Sequence, residues 1–174
     1  PAKWVSVGVT TSLSFQGIRG WWFEPYVRFK APIVGTNKGE WMVLGLARNG
    51  VSTDSEFFAG YYANVVEHVK SKIDAETGRL HEHLSTENSR VILGLTSIGE
   101  DVTNVGGYNL LQGLSDTDFV KKQGINGPVW ALIALDSGNY EIPTNADSSK
   151  QVSREWLINY ILEKELENGG WGLS

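Results

Sequence analysis

Three stretches of this chain resemble one another, and that self-similarity restricts the fold more than any other feature. They are Glu40-Trp41-Met42-Val43-Leu44-Gly45-Leu46-Ala47-Arg48-Asn49-Gly50, then Ser89-Arg90-Val91-Ile92-Leu93-Gly94-Leu95-Thr96-Ser97-Ile98-Gly99, then Pro128-Val129-Trp130-Ala131-Leu132-Ile133-Ala134-Leu135-Asp136-Ser137-Gly138. Aligned on Leu46, Leu95 and Leu135, they recur at intervals of 49 and 40 residues, within reach of a repeat built from two helices. Each is apolar nearly all round, which predicts a buried inner helix. Each stops at a glycine, the residue best suited to the left-handed position that ends a helix.

More polar segments lie between and after these copies. Glu56 to Ile73 carries Phe58, Tyr62, Val65, Val66 and Val69 at helical spacing, Asn109 to Lys122 shows a weaker pattern, and Val152 to Leu166 places Trp156, Leu157, Tyr160, Ile161 and Leu166 on one stripe. The last of these has Ser153 as N-cap and Glu155 in the first turn, and Gly169 and Gly170 end it. Inner apolar helix and outer amphipathic helix, repeated, predict a mainly α fold: an α/α-toroid of about three helix pairs, in which a pair cannot bury its apolar face alone. Residues 35–174 form this domain. Residues 1–34 read as a β or extended N-terminal segment, because Lys3 to Thr11 alternates in a period of two, while Trp21-Trp22-Phe23 and Tyr26 to Phe29 flank Pro25 as short edge strands would.

Composition removes several classes of function. The 174 residues make about one domain, and 15 basic against 20 acidic residues leave a net charge of −5 with no basic run, so no nucleic-acid partner is expected. The longest apolar stretches, Trp41–Ala47 and Val129–Leu135, fall short of the roughly 20 residues that cross a bilayer, so no membrane span is expected. The chain has no Cys, which excludes disulfides, thiolate zinc sites and cysteine nucleophiles. A start at Pro1 without Met points to a processed or shortened chain.

Glu165-Leu166-Glu167-Asn168-Gly169-Gly170-Trp171-Gly172 resembles the Gly-Gly-Trp-Gly signature of the squalene cyclase and prenyltransferase α/α-toroid superfamily. The longer run that includes Gly39–Gly50, Thr86–Leu95, Asn104–Leu111 and Gly124–Pro143 is similar to the prenyltransferase-like domain of bacterial cell-surface proteins, a resemblance covering about residues 35 to 174. It implies an extracellular or cell-surface location and a module for ligand binding or scaffolding. In that group a small β domain, like the one of cobalamin-binding transport proteins, often accompanies the toroid, and Gln16–Pro25 would be a remnant of such a segment. A complete ring of the superfamily has about six helix pairs, so three pairs imply half a ring that associates with another copy or belongs with a missing second half.

Measured against that superfamily, the enzymatic chemistry is missing. The acid run of the class II cyclases is reduced to Ser115-Asp116-Thr117-Asp118, followed by Phe119, where Asp116 and Asp118 suit a helix N-cap and first turn. The zinc site of protein prenyltransferases needs a Cys. His81-Glu82-His83 lacks a second ligand cluster, so neither a metal nor a cofactor is expected; His83 either bonds Glu87 or faces the toroid's mouth, and Ser85 or Thr86 would cap the helix that follows. Gly106-Gly107 before Tyr108 has no phosphate-loop context and reads as a turn. Glu40 and Glu87 open equivalent inner helices, either as a pair of acids across a glycan-cleaving cleft or as N-terminal stabilisers.

The candidate ligand-binding residues are Glu40, Trp41, His83, Glu87, Arg90, Tyr108, Asn126, Trp130 and Trp171. The starts of the inner helices bring six of them toward one rim, where tryptophan faces beside hydrogen-bonding groups suit a glycan, a peptide or a small apolar ring; the alternative is that the tryptophans pack between helices. The leading expectation is a non-catalytic surface module. The alternatives are an enzyme acting on a glycan or terpenoid through acids at the toroid mouth, and a corrinoid-binding module.

Overall fold

In the computed structural model, which describes residues 4–7, 27–30, 33–35 and 39–172, the chain is mainly helical. Strand β1 (Trp4–Val7) pairs antiparallel with β2 (Val27–Lys30), Trp4 opposite Lys30 and Val7 opposite Val27. The readings made on Gln16–Pro25, and on Lys3 and residues 8–11, lie outside the described residues. Then come α1 (Gly39–Arg48), α2 (Glu56–Lys72), α3 (Ser85–Ser97), the single turn α4 (Thr117–Val120), α5 (Asn126–Ser137) and α6 (Arg154–Leu162). Among the described residues no helix is long and apolar enough to cross a membrane.

Local chemistry explains where α2 begins and which side it hides. The Ser55 hydroxyl accepts from the Phe58 amide, Glu56 sits in the first turn, and Lys70 and Lys72 sit in the last, each charge matched to the helix dipole. Phe57, Phe58, Tyr61, Val65 and Val69 are buried on one stripe. Helix α3 is different: from Ser85 and Glu87 to Leu95 it is enclosed on nearly every side, as an all-round apolar helix must be.

Contacts fix the directions of the helices around α3. Tyr61 of α2 presses on Gly94 while His68 bonds Glu87, so α2 runs antiparallel to α3. Helix α5 runs parallel to α3: Gly127 sits against the Ser85 hydroxyl at one end, and beyond the other the Thr96 hydroxyl meets that of Tyr140 at 2.8 Å. Helix α1 packs on α3 as well, and its first turn converges with that of α3, as described below. Helix α6 returns along α5, with Arg154 bonded to Asp136 at 2.8 Å and to the Tyr140 carbonyl at 2.8 Å. The starts of α1, α3 and α5 therefore share one end of the body.

Several expectations are corrected. The outer helix over 109–122 is broken into a 3-10 turn (Leu110–Leu114), α4, and a second 3-10 turn (Lys121–Gln123). The Asn109 side chain accepts from the Leu111 amide, and Asp116 from those of Asp118 and Phe119, so each restarts the backbone where a continuous helix would run. On α6, Ser153 and Glu155 begin the helix as expected, yet it stops at Leu162: of the expected stripe Leu157 is buried, Trp156, Tyr160 and Ile161 are half-buried, and Leu166, past the helix end, is exposed, as are Ile158 and Leu162 on the other side. Helices α1 and α5 are less covered than α3, with Gly45 open and Ile133 exposed. Gly50 and Gly99 take the left-handed conformation (φ 80° each), but in the third copy it is Asn139 that does so (φ 51°). Gly138 is needed for a different reason, since a Cβ there would lie 2.3 Å from the Tyr140 ring.

Asn88 ties two segments to α3, the loop before it and the 3-10 turn at Leu110. Fully buried, it accepts from the Leu80 amide (3.0 Å) and donates to the carbonyls of Gly78 (2.8 Å) and Leu110 (3.1 Å). Asn88→Ala leaves these groups unpaired in the core and is expected to cost about 3 kcal/mol, read by urea unfolding. Asn88→Asp keeps the acceptor and loses the donor, and is expected to fail to restore stability.

Candidate functional site

Glu40 and Glu87 each occupy the first turn of a helix, where unpaired amides and the helix dipole favour a carboxylate. The first turns of α1 and α3 converge, which brings both to Gly35. Its N–H donates to Glu40 Oε1 at 2.8 Å, and a Cβ on it would lie 2.7 Å from Glu87 Oε1 and 3.2 Å from the His68 ring. Glycine is required there twice over, by its φ of 75° and by this close approach. Glu87 Oε1 is 2.9 Å from His68 Nε2.

Both acids are closed off from solvent, Glu40 being 1% and Glu87 6% exposed. Burial raises the pKa of Glu40 above the usual carboxylate value. The Gly35 amide, its own backbone amide and the nearby Arg90 charge pull it back down, and Glu87 adds to the rise. The arrangement can stabilise helix starts and lock α1, α2 and α3 together. It does not present two carboxylates across an open cleft.

The other candidates divide between the rim and local turns. Trp41 on α1 and Trp130 on α5 meet with ring centroids 4.9 Å apart, tilted by 49°, and both stay half-buried. Asn126 begins α5, and Arg90 lies on α3 one turn after Glu87. Trp171 is held at the end of α6, its indole N–H donating to the Ile161 carbonyl at 2.7 Å, in a turn where Gly169 and Gly170 are both left-handed. Tyr108 closes the Gly106-Gly107 turn through a bridge to Val105 and packs on the core.

Two expectations about the loop before α3 are corrected. His83 does not bond Glu87; its exposed ring lies 3.6 Å from Glu82, and His68 holds Glu87 instead. Within His81-Glu82-His83 the working group is His81 Nδ1, which accepts from the His83 and Leu84 amides, and among the described residues no group of three or more ligands is placed to hold a metal. Neither Ser85 nor Thr86 caps α3. Gln123 Oε1 accepts from the Thr86 amide at 2.9 Å, and the Ser85 hydroxyl donates to the Val120 carbonyl at 3.2 Å.

His68 and Gln123 are the residues that sequence reasoning missed. Tyr61, Val65 and His68 fall at i, i+4 and i+7, so His68 shares the buried stripe of α2, a signal that was present. Gln123 carried no comparable signal. No family model, curated protein or solved structure matches this chain.

The raised pKa of Glu40 has a consequence for stability. Between the unfolded value near 4.5 and the higher folded one, the folded chain holds more protons than the unfolded chain, so this residue's contribution to stability falls as pH rises through that window. Glu40→Gln removes the ionisation. The stability difference between variant and wild type is expected to shift in favour of the variant as pH rises from about 4.5 toward neutrality, measured by urea unfolding at a series of pH values. Parallel profiles would contradict the assignment.

Proposed function

We propose that this chain is a non-catalytic ligand-binding module of the α/α-toroid type, working on a bacterial cell surface. The observation that carries the non-catalytic part is the fate of the two acids. A glycan-cleaving cleft needs two carboxylates that reach a substrate from opposite sides, with room for a sugar or a water between them. Here Glu40 and Glu87 are sealed by the chain itself, one on the Gly35 amide and the other on His68.

The toroid reading is supported by the alternation of helix direction, α3 and α5 running one way with α2 antiparallel to α3 and α6 returning along α5. The surface location rests on the resemblance of residues 35 to 174 to the prenyltransferase-like domain of bacterial surface proteins.

The binding surface in this reading is the Trp41 and Trp130 pair. Two half-buried indoles at the shared end of the inner helices offer apolar faces to a neutral ring, and a sugar ring with its C–H face is the chemistry that such a platform fits. The test is titration of the full chain with a panel of neutral oligosaccharides, followed by tryptophan fluorescence, with mass spectrometry of the same mixtures for products. Quenching by at least one member is expected, weakened about tenfold or more by Trp130→Ala, a loss of about 1.4 kcal/mol, with no product formed. Product formation that Glu40→Gln or Glu87→Gln abolishes would overturn the reading in favour of an enzyme. Absence of binding across the panel would remove the glycan assignment.

A further inference from the structure

Asparagine followed by glycine occurs three times in this chain, as Asn49-Gly50, Asn126-Gly127 and Asn168-Gly169. The pair is chemically labile. With no Cβ on the second residue to block the approach, its amide nitrogen can attack the asparagine side-chain carbonyl carbon and close a five-membered ring, provided that the backbone between them can turn. The fold meets that condition differently at each pair.

Asn126 is the first residue of α5, and helical backbone carries the next amide away from the residue's own side chain. Gly127 is also buried and has no room to move, since a Cβ on it would run into the Val120 carbonyl. Asn49 is exposed but tied. Its side-chain amide donates to the Gly45 carbonyl at 3.1 Å, and the Gly50 and Val51 amides donate to the carbonyls of Ala47 and Leu46 at 3.2 Å each. The side chain is thereby drawn back along α1 while the glycine is fixed at the helix end.

Asn168 lacks both restraints. Residues 162–171 are all exposed, and among the described residues the Asn168 side chain makes no hydrogen bond. Two backbone bonds hold the turn, from the Gly169 amide to the Leu166 carbonyl and from the Leu166 amide to the Gly170 carbonyl, each 2.9 Å. Both lie in water-facing backbone, where local opening costs least. Open space surrounds the Cβ positions of Gly169 and Gly170, so nothing obstructs the rotation that ring closure needs.

We propose that Asn168 is a site of spontaneous deamidation in the folded chain, and that the fold protects the other two pairs. The Gly169 amide nitrogen gives its proton to hydroxide and bonds to Asn168 Cγ; the Cγ–Nδ2 bond breaks, and the side-chain nitrogen takes a proton from water and leaves as ammonia. Water then adds to either carbonyl of the succinimide and opens the ring, leaving aspartate or isoaspartate at position 168. Either product adds a negative charge to a segment that already carries Glu163, Glu165 and Glu167. Isoaspartate also lengthens the backbone inside the turn that sets Glu165 opposite Trp171, and so alters the seat of that indole. The reaction is independent of any ligand at the Trp41 and Trp130 pair.

Incubation of the full chain at mildly alkaline pH, once folded and once in guanidinium chloride, with each pair followed by peptide mass spectrometry, tests this. Folding is expected to leave the rate at Asn168 within a few-fold of its unfolded value and to slow Asn49 and Asn126 by about tenfold or more. Methylation of the folded, aged chain by an isoaspartyl carboxyl methyltransferase is expected to label chiefly the peptide that carries position 168. Asn168→Gln, whose ring closure would be six-membered, is expected to lose that label with the unfolding midpoint unchanged. Protection of Asn168 by folding as strong as that of Asn49, folded-state reaction at Asn49 or Asn126 as fast as at Asn168, or a label that survives Asn168→Gln would each overturn the proposal.

Discussion

The structure depends on the burial of a polar helix start. Helix α3 is enclosed on nearly every side, and its first two turns hold Ser85, Glu87, Asn88 and Ser89, none of which reaches solvent to any extent. A buried polar group without a partner costs more than its bond returns, so Ser85, Glu87 and Asn88 each had to draw in another part of the chain, while Ser89 donates to the Ser85 carbonyl of its own helix. Ser85 reaches Val120, Thr86 receives Gln123, Glu87 receives His68, and Asn88 holds Leu80, Gly78 and Leu110. Those partners come from α2, the loop before α3, and the broken segment between α3 and α5. One helix start thereby sets the position of most of what surrounds it.

This constraint also decides what the acids can do. A carboxylate that completes an internal network loses its access to substrate, and removing its partner strands it in a medium where a charge is poorly solvated. Glu87 is committed to His68, and Glu40 to the Gly35 amide, with Arg90 near enough to offset part of the burial. The same residues that a motif search would choose as a catalytic pair are, in this packing, the joint between three helices.

How much of this was legible in the residues depended on the range of the interaction. The three apolar copies became α1, α3 and α5, and Ser153 capped α6, because periodicity and capping act within a few positions. The break between Asn109 and Lys122 was missed although its cause is local: Asn109 and Asp116 each bond a backbone amide two residues on, an option that competes with a helix and that the weak apolar pattern concealed. The cap on α3 was out of reach, since Gln123 arrives from 37 positions away. The pairing of Glu87 with His68, 19 positions apart, needed the register of α2 on α3, and the sequence offered the nearer His83 instead. Gly138 and Asn139 show a subtler failure: the turn was anticipated, but the positive φ falls on Asn139, while Gly138 makes room for the Tyr140 ring.

The end of the body that gathers the starts of α1, α3 and α5 has an electrostatic character that would narrow the ligands of the proposed module. The positive ends of α1, α3 and α5 meet here, which by itself would attract an anion. In α1 and α3 that field is already met by Glu40 and Glu87, and α5, which begins with Asn126 and carries no acid in its first turn, presents Trp130 one turn later against Trp41. A net charge of −5 works further against an anionic partner. In the proposed binding role, aromatic faces would favour a neutral ring, and acids facing inward leave little for a phosphate to bind.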